Sequence, residues 1–261
     1  MNNNIRFELS FKNISQLENK LNFCKLNNIK NINIPCKGLI KKDLFNSTIK
    51  YISKNYNEFN VTYHYSLYHQ YSKNKEKSYQ DFFDFVKNSQ INKNYEILLV
   101  SGSNKKKNFD SVDVLAYLKK EKNLKVKLGI AYNPYLKKYY NISSERERFE
   151  RKISTGLINS IWFQYGTDIK VLHNEVNYLK NAAKEEKLNL FGSLFIPSKQ
   201  FIARFKFRPW KEVYISEKCL YALENFFDFT NDLVSFYKKN NITPVIESDF
   251  SSSEKLDSVY S

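Results

Sequence analysis

The sequence predicts an α/β fold of the (β/α)8 class, the TIM barrel, and three observations predict it. Residues 96–101, 127–132 and 160–164 are short apolar runs, each ending in a small or polar residue. Strands of a parallel sheet read this way, because crossover helices leave neither face of the sheet to water. Helical patterns at 109–122 and 143–155 separate these runs and are long enough to serve as crossovers. The same alternation continues on both sides and reaches eight strand signals over about 250 residues, the count of such a barrel. An open doubly wound sheet is the competing arrangement. The barrel is preferred because no low-complexity or Gly/Pro-rich boundary splits the chain. The barrel is expected over residues 1–250, with a loosely ordered, Ser- and charge-rich tail over 251–261.

Each element has its own signal. Residues 5–9 alternate, with Ile5, Phe7 and Leu9 on one face and Arg6 and Glu8 on the other, which predicts a first strand. Ser15 can cap a helix running to about Asn27, apolar at Leu17, Leu21 and Leu26. A second strand at 31–34 is stopped by Pro35, and a helix at 41–55 is apolar at Leu44, Phe45, Ile49 and Ile52. A third strand at 59–64 precedes a helix at 75–89, apolar at Tyr79, Phe82, Phe83 and Val86. After the central stretch comes a helix at 170–187, then a strand at 190–195 halted by Pro197. Residues 201–210 are basic and aromatic and read as an irregular insertion. A single long helix is expected at 217–239, and the eighth strand at 243–248.

Composition bounds the function. Hydrophobic residues make up 42% of the 261-residue chain and aromatics 16%, ample for a large core. No run approaches eighteen apolar residues, so no membrane span is expected. The N-terminal Met-Asn-Asn-Asn-Ile-Arg lacks the apolar core of a signal peptide, and a cytoplasmic protein is expected. Cys24, Cys36 and Cys219 show no CxxC or Cys/His spacing, so reduced thiols and no metal site are expected. The formal charge of +15 points to an anionic partner. The lysines are scattered over the helices rather than gathered in a stripe, which argues against nucleic acid and for a small anionic ligand.

In such a barrel, chemistry sits at the carboxyl ends of the strands. Those ends are Glu8, Pro35 with Cys36, His64 with Ser66, Ser101-Gly102-Ser103, Tyr132 with Asn133, Gln164, Phe195 and Glu247. Glu8 shares a face with Arg6 and is directed to the mouth, where a desolvated carboxyl can hold a proton. Its other reading is an ion-pair partner. His64 is a hydrogen-bonded structural residue or a ligand contact. The Ser101-Gly102-Ser103 turn can offer backbone N–H groups to a ring or a phosphate. Neither GxGxxG nor GxxxxGK[ST] is present, so neither nucleotide fingerprint applies. The charged run 145–152 has the i,i+4 pairing of a solvated helix face. Gln164 ends an apolar strand with a group that both donates and accepts; it reads the edge of a heterocycle or bonds neighbouring backbone.

Phe7-Glu8, the strand end of His64 and Ser66, Ala131-Tyr132, Glu145 with Arg151-Lys152-Ile-Ser-Thr-Gly156, Trp162-Phe163-Gln164 and Asp168 occur in an order that resembles the methylenetetrahydrofolate reductase family, best over 96–168. The resemblance implies a (β/α)8 barrel that binds FAD, takes a hydride from NADH or NADPH, and reduces 5,10-methylenetetrahydrofolate to 5-methyltetrahydrofolate. It implies that Glu8 is the acid that protonates a folate nitrogen as the five-membered ring opens. It implies that Gln164 and Ser103 bind the folate, and that His64, Ser66, Ser101, Tyr132, Glu145 and Lys152 lie at flavin-contacting positions. One departure is clear. Where many members carry Arg-Gly-Asp, this chain has Ser101-Gly102-Ser103, so two charges are missing and FAD is expected to bind weakly. Lys105 to Lys107 can form a basic rim for the folate tail or a solvated loop. The regulatory domain of eukaryotic members is expected to be absent, and a homo-oligomer is compatible with the family. The second functional expectation is a barrel of this family that has lost the cofactor and binds folate or a partner subunit.

Overall fold

The computed structural model describes residues 5–38, 40–89, 94–101, 110–121, 128–136, 142–183 and 187–247. Eight strands, β1 (Arg6–Glu8), β2 (Asn31–Ile34), β3 (Asn60–Ser66), β4 (Tyr95–Val100), β5 (Leu128–Tyr132), β6 (Ile158–Phe163), β7 (Asn189–Leu194) and β8 (Ile242–Ile246), close into a parallel barrel in chain order. Closure comes from β8 lying beside β1, with Arg6 opposite Val245 and Phe7 opposite Ile246. The helices are α1 (Ile14–Leu26), α2 (Lys42–Asn55), α3 (Leu67–Gln70), α4 (Lys75–Ser89), α5 (Ser111–Leu118), α6 (Ile142–Ile153), α7 (Ile169–Ala182), α8 (Lys199–Phe207), α9 (Glu217–Tyr221) and α10 (Leu223–Asn240). This is the (β/α)8 barrel that the alternating signals predict.

Side chains alternate across each strand, so the sheet separates two cores. Phe7, Ile32, Tyr63, Tyr65, Ile97, Leu99, Ile130, Tyr132, Ile161 and Phe163 face the helices in the large outer core. Leu98, Trp162 and Val245, joined by Val100, Ala131 and Phe191, form a small core inside the barrel. Below them the interior is polar. Arg6 is buried and donates from Nε to Asn33 Oδ1 (2.8 Å) and from Nη2 to Thr62 Oγ1 (2.7 Å) and the Ile32 carbonyl (2.9 Å). Its guanidinium lies 5.7 Å from the rings of both Trp162 and Phe191, which stack on each other at 4.0 Å. Burial lowers the Arg6 pKa to about 10 against the opposing pull of Glu96. Glu96 accepts from Ser160 Oγ (2.5 Å) and Thr62 Oγ1 (3.3 Å).

Three local expectations are corrected. Helix α1 is capped by Asn13, whose side chain accepts from the Gln16 N–H, rather than by Ser15; Leu26 ends it at 83% exposure, outside the core. Residues 201–210 are not an irregular insertion. Ser198 caps a regular α8 that buries Ile202 and Phe205, and Pro209 stands just past its end. The helix expected at 217–239 is two helices broken at Ala222, which is extended (φ −136°, ψ 145°). The break lets α10 present Phe226 to Phe201 (5.6 Å) and Tyr165 (6.4 Å), packing that a continuous helix would redirect. The expected tail, 251–261, lies outside the described residues.

Candidate active site at the barrel mouth

Register carries polar side chains to the carboxyl end of the interior. Glu8 pairs with Asn33, and Asn33 with Thr62, so these residues project inward from β1, β2 and β3. His64 follows Thr62 by two positions, Gln164 follows Trp162 by two, and Glu247 follows Val245 by two; each inherits the inward face. The loop after β2 turns at Gly38, whose φ of +60° is the left-handed region, and Lys37, just before that turn, reaches over the opening.

Lys37 organises this mouth. Its Nζ lies 2.5 Å from Glu8 Oε1 and 3.4 Å from Glu247 Oε2. The Glu8 side chain is 3% exposed and that of Glu247 14%, whereas Lys37 is 56% exposed and reaches in from the rim. Burial acts to lower the Lys37 pKa, but the two carboxylates outweigh it and hold the ammonium well above its usual value. Ser193 Oγ donates to Glu247 Oε1. Burial, reinforced by the negative charge of Glu8, raises the Glu247 pKa, with Lys37 and Ser193 opposing.

His64 completes the group. Arg6 has only donors, so its contact assigns the Asn33 oxygen to itself and the Asn33 amide to His64 Nε2, 2.9 Å away. Nε2 is therefore the acceptor and Nδ1 carries the proton, facing Glu8 Oε2 at 3.6 Å. Burial first, then the charges of Lys37 and Arg6, push the His64 pKa down to about 3, so the ring is neutral near pH 7. On the far side of the mouth Gln164 is half-buried. Its Oε1 accepts from the Tyr165 N–H at 3.1 Å, the backbone bond expected as one of its two readings. Its Nε2 makes no hydrogen bond among the described residues.

The six flavin-contact positions do not gather here. Only His64 and Ser66 face the interior, and the Ser66 hydroxyl caps α3, accepting from the His69 N–H at 3.4 Å. Tyr132 lies away from the mouth's interior face. Strand alternation turns it outward, where its hydroxyl donates to Glu175 Oε2 at 2.5 Å and Arg146 grips the same carboxylate at 2.7 and 3.1 Å. Ser101 also faces outward and donates to Ser111 Oγ at 2.9 Å. Glu145 lies 3.6 Å from Arg148, which pairs with Asp110 at 2.9 Å; the carboxyl of Asp110 also feels the charge of the buried Lys152. These side chains are committed to the fold between α5, α6 and α7, so they do not fit a cradle for FAD. Ser103 and Lys105 to Lys107 lie outside the described residues.

Sequence reading missed Lys37 and Ser193. Both had a signal: Lys37 follows the strand end Pro35-Cys36 and precedes a glycine, and Ser193 stands on the inward face of β7. The three cysteines are free and buried. Among the described residues no cluster of three or more His, Cys, Asp or Glu is arranged to hold a metal, and no helix is long and apolar enough to cross a membrane.

No family model matches the chain, and no curated protein matches it. Its fold is similar to solved structures. One is a protein from Clostridium thermocellum that binds two copies of 5-methyl-5,6,7,8-tetrahydrofolic acid, with a TM-score of 0.61 and 11% identity over 97% of this chain and 91% of that one. Another is active domain 2 of a thermostable chitinase from Pyrococcus furiosus, solved as catalytic-site mutants with chito-oligosaccharides, at a TM-score of 0.55 and 13% identity over 94% of this chain and 83% of that one. A third is the catalytic domain of a hyperthermophilic chitinase from Pyrococcus furiosus, at 0.54 and 12%, over 95% and 84%. At such identities the likeness is one of fold, and fold alone does not carry activity.

Proposed function

We propose that the barrel mouth binds a reduced folate and that the protein reduces 5,10-methylenetetrahydrofolate to 5-methyltetrahydrofolate with NADH or NADPH. The observation that carries this reading is the placement of a carboxyl pair, Glu8 and Glu247, on the same inward face as Gln164, whose amide N–H is left for a ligand. The resemblance of Glu8 and Gln164 to the reductase family supports it, as does the fold likeness to a methyltetrahydrofolate-binding protein.

The chemistry needs an acid and a hydride held in one geometry. A mouth carboxyl gives its proton to the departing ring nitrogen as the carbon–nitrogen bond breaks and a methylene iminium forms. The methylene carbon then accepts the hydride of the nicotinamide, giving the methyl product and oxidised nicotinamide, and the carboxylate is reprotonated from water. Gln164 holds the heterocycle by its edge, and neutral His64 buttresses Glu8 without adding positive charge. No step passes through FAD, because the side chains at its expected contacts are engaged elsewhere.

A second reading is folate binding without reduction. The loss of both charges at Ser101 and Ser103 favours it. Calorimetric titration with 5-methyltetrahydrofolate, followed by a turnover assay with methylenetetrahydrofolate and each nicotinamide, separates the two. Binding with turnover supports the reductase, binding alone supports the second reading, and absence of binding refutes both.

A further inference from the structure

We propose that Glu247, not Glu8, is the proton donor of the mouth, and that Lys37 is the positioning residue that divides the two carboxyls into an anion and an acid. This rests on the reading of the mouth as the reactive site and assigns the proton within it.

The geometry is asymmetric. Glu8 has the shorter contact to Lys37, 2.5 Å against 3.4 Å for Glu247. Glu8 also faces the Nδ1–H of a neutral His64 at 3.6 Å. Glu8 thus has the closer side of the ammonium and a neutral N–H donor facing its other oxygen, and this geometry makes it the anion of the pair. Glu247 has the weaker side of the same ammonium and the hydroxyl of Ser193. Two further titratable groups act on it among the described residues: His64, and Tyr237 of α10, whose hydroxyl donates to the Ser193 carbonyl at 2.9 Å and whose own pKa is raised by burial and by the Glu247 charge. Two carboxylates that share one ammonium do not both ionise freely, because the second negative charge meets the first. The proton thus resides on Glu247, in agreement with the direction in which burial and Glu8 move it. Chain order hides the arrangement: Lys37 and Glu247 are 210 positions apart.

In the reaction, the Glu247 O–H bond breaks and its proton passes to the departing ring nitrogen. The carboxylate left behind is stabilised by Lys37 and Ser193. A proton from water restores the acid, so the cycle consumes one proton and one hydride for each methyl group formed.

The test has a ligand-free arm and a turnover arm. Protein carrying isotope-labelled glutamate is titrated by NMR. One carboxyl signal should titrate well above the exposed glutamates, and it should be missing in Glu247→Gln. It should move to lower pH in Glu8→Gln, to higher pH in Lys37→Met and in Ser193→Ala, and back towards the parent in Lys37→Arg. In single turnover with methylenetetrahydrofolate, Glu247→Gln should lower the rate roughly 10²–10⁴-fold. Glu8→Gln should lose rate at a lower pH than the parent. The proposal is overturned if the high-titrating signal vanishes in Glu8→Gln instead, or if all glutamates titrate together. If the parent reduces no folate, the proposed reaction falls and the donor role towards folate with it, while the NMR arm still decides which carboxyl holds the proton.

Discussion

The Asn33 amide nitrogen lies 2.9 Å from His64 Nε2, and that contact decides which nitrogen of the ring carries its proton. Asn33 can present its nitrogen there because its oxygen is taken by Arg6 at 2.8 Å. A buried guanidinium at the base of the barrel thus sets, through one amide, the face that an imidazole turns to Glu8 at the mouth. Glu8 in turn meets Lys37, and Lys37 meets Glu247, so the polar groups of β1, β2, β3 and β8 form one chain from floor to opening.

His64 makes stability sensitive to acid. Its folded pKa of about 3 lies below its ordinary 6.5, so between these values the unfolded chain binds a proton that the folded one does not. Stability from the neutral ring is complete above pH 6.5 and is lost as pH falls towards 3, with a slope approaching about 1.4 kcal/mol per pH unit. Urea midpoints measured from pH 7 to 4 should fall less steeply in His64→Gln than in the parent. Glu247, whose pKa is raised, acts in the opposite sense as pH rises above 4.5. Equal slopes would mean that His64 is not held neutral.

Arg6 should be a stability residue. Arg6→Met keeps the bulk beside Trp162 and Phe191 but removes the donors that Asn33 Oδ1 and Thr62 Oγ1 accept from and the positive charge that acts with Glu96. Breaking a buried charged network costs about 3–5 kcal/mol, and equilibrium unfolding should show a loss of that order. A loss near zero would show that the floor network carries little stability.

Gln164→Ala should weaken 5-methyltetrahydrofolate binding while leaving the melting temperature close to the parent's. One neutral hydrogen bond is worth about 0.5–1.5 kcal/mol, or roughly two- to tenfold in Kd. The melting temperature should hold because Gln164 is only half-buried, its backbone bond to the Tyr132 carbonyl survives the change, and the one side-chain hydrogen bond it makes among the described residues is to the next residue's backbone. Calorimetry that returns the parent Kd would remove Gln164 from the site.

Dialysed protein should not retain stoichiometric FAD. A hydrogen bond to a charged group contributes about 1.5–3 kcal/mol, and the resemblance to the reductase family puts Ser101 and Ser103 where two charges would lie. The outward-facing Tyr132 hydroxyl, already on Glu175, removes another contact. A visible flavin spectrum after exhaustive dialysis would contradict this.

The strands, their order and the inward face of β1 were legible in sequence, because period-two alternation and apolar runs are local consequences of which face is wet. Glu8 opposite Phe7 and Leu9, and Gln164 in step with Trp162, follow from that alone. The same rule turns Tyr132 away from the mouth, since Ala131 beside it is the inward residue of β5. Helix ends were less legible. Asn13 outcompetes Ser15 as a cap, and the break at Ala222, where α10 brings Phe226 against Phe201, carries no Gly or Pro that would announce it. The mouth was decided by tertiary structure. Glu8, Lys37 and Glu247 carry ordinary local signals, and they become one ionic group only when β8 closes against β1 beneath Lys37 of the loop after β2. Their coupling depends on separations of a few ångströms between residues far apart in the chain, and closure of the barrel alone supplies that proximity.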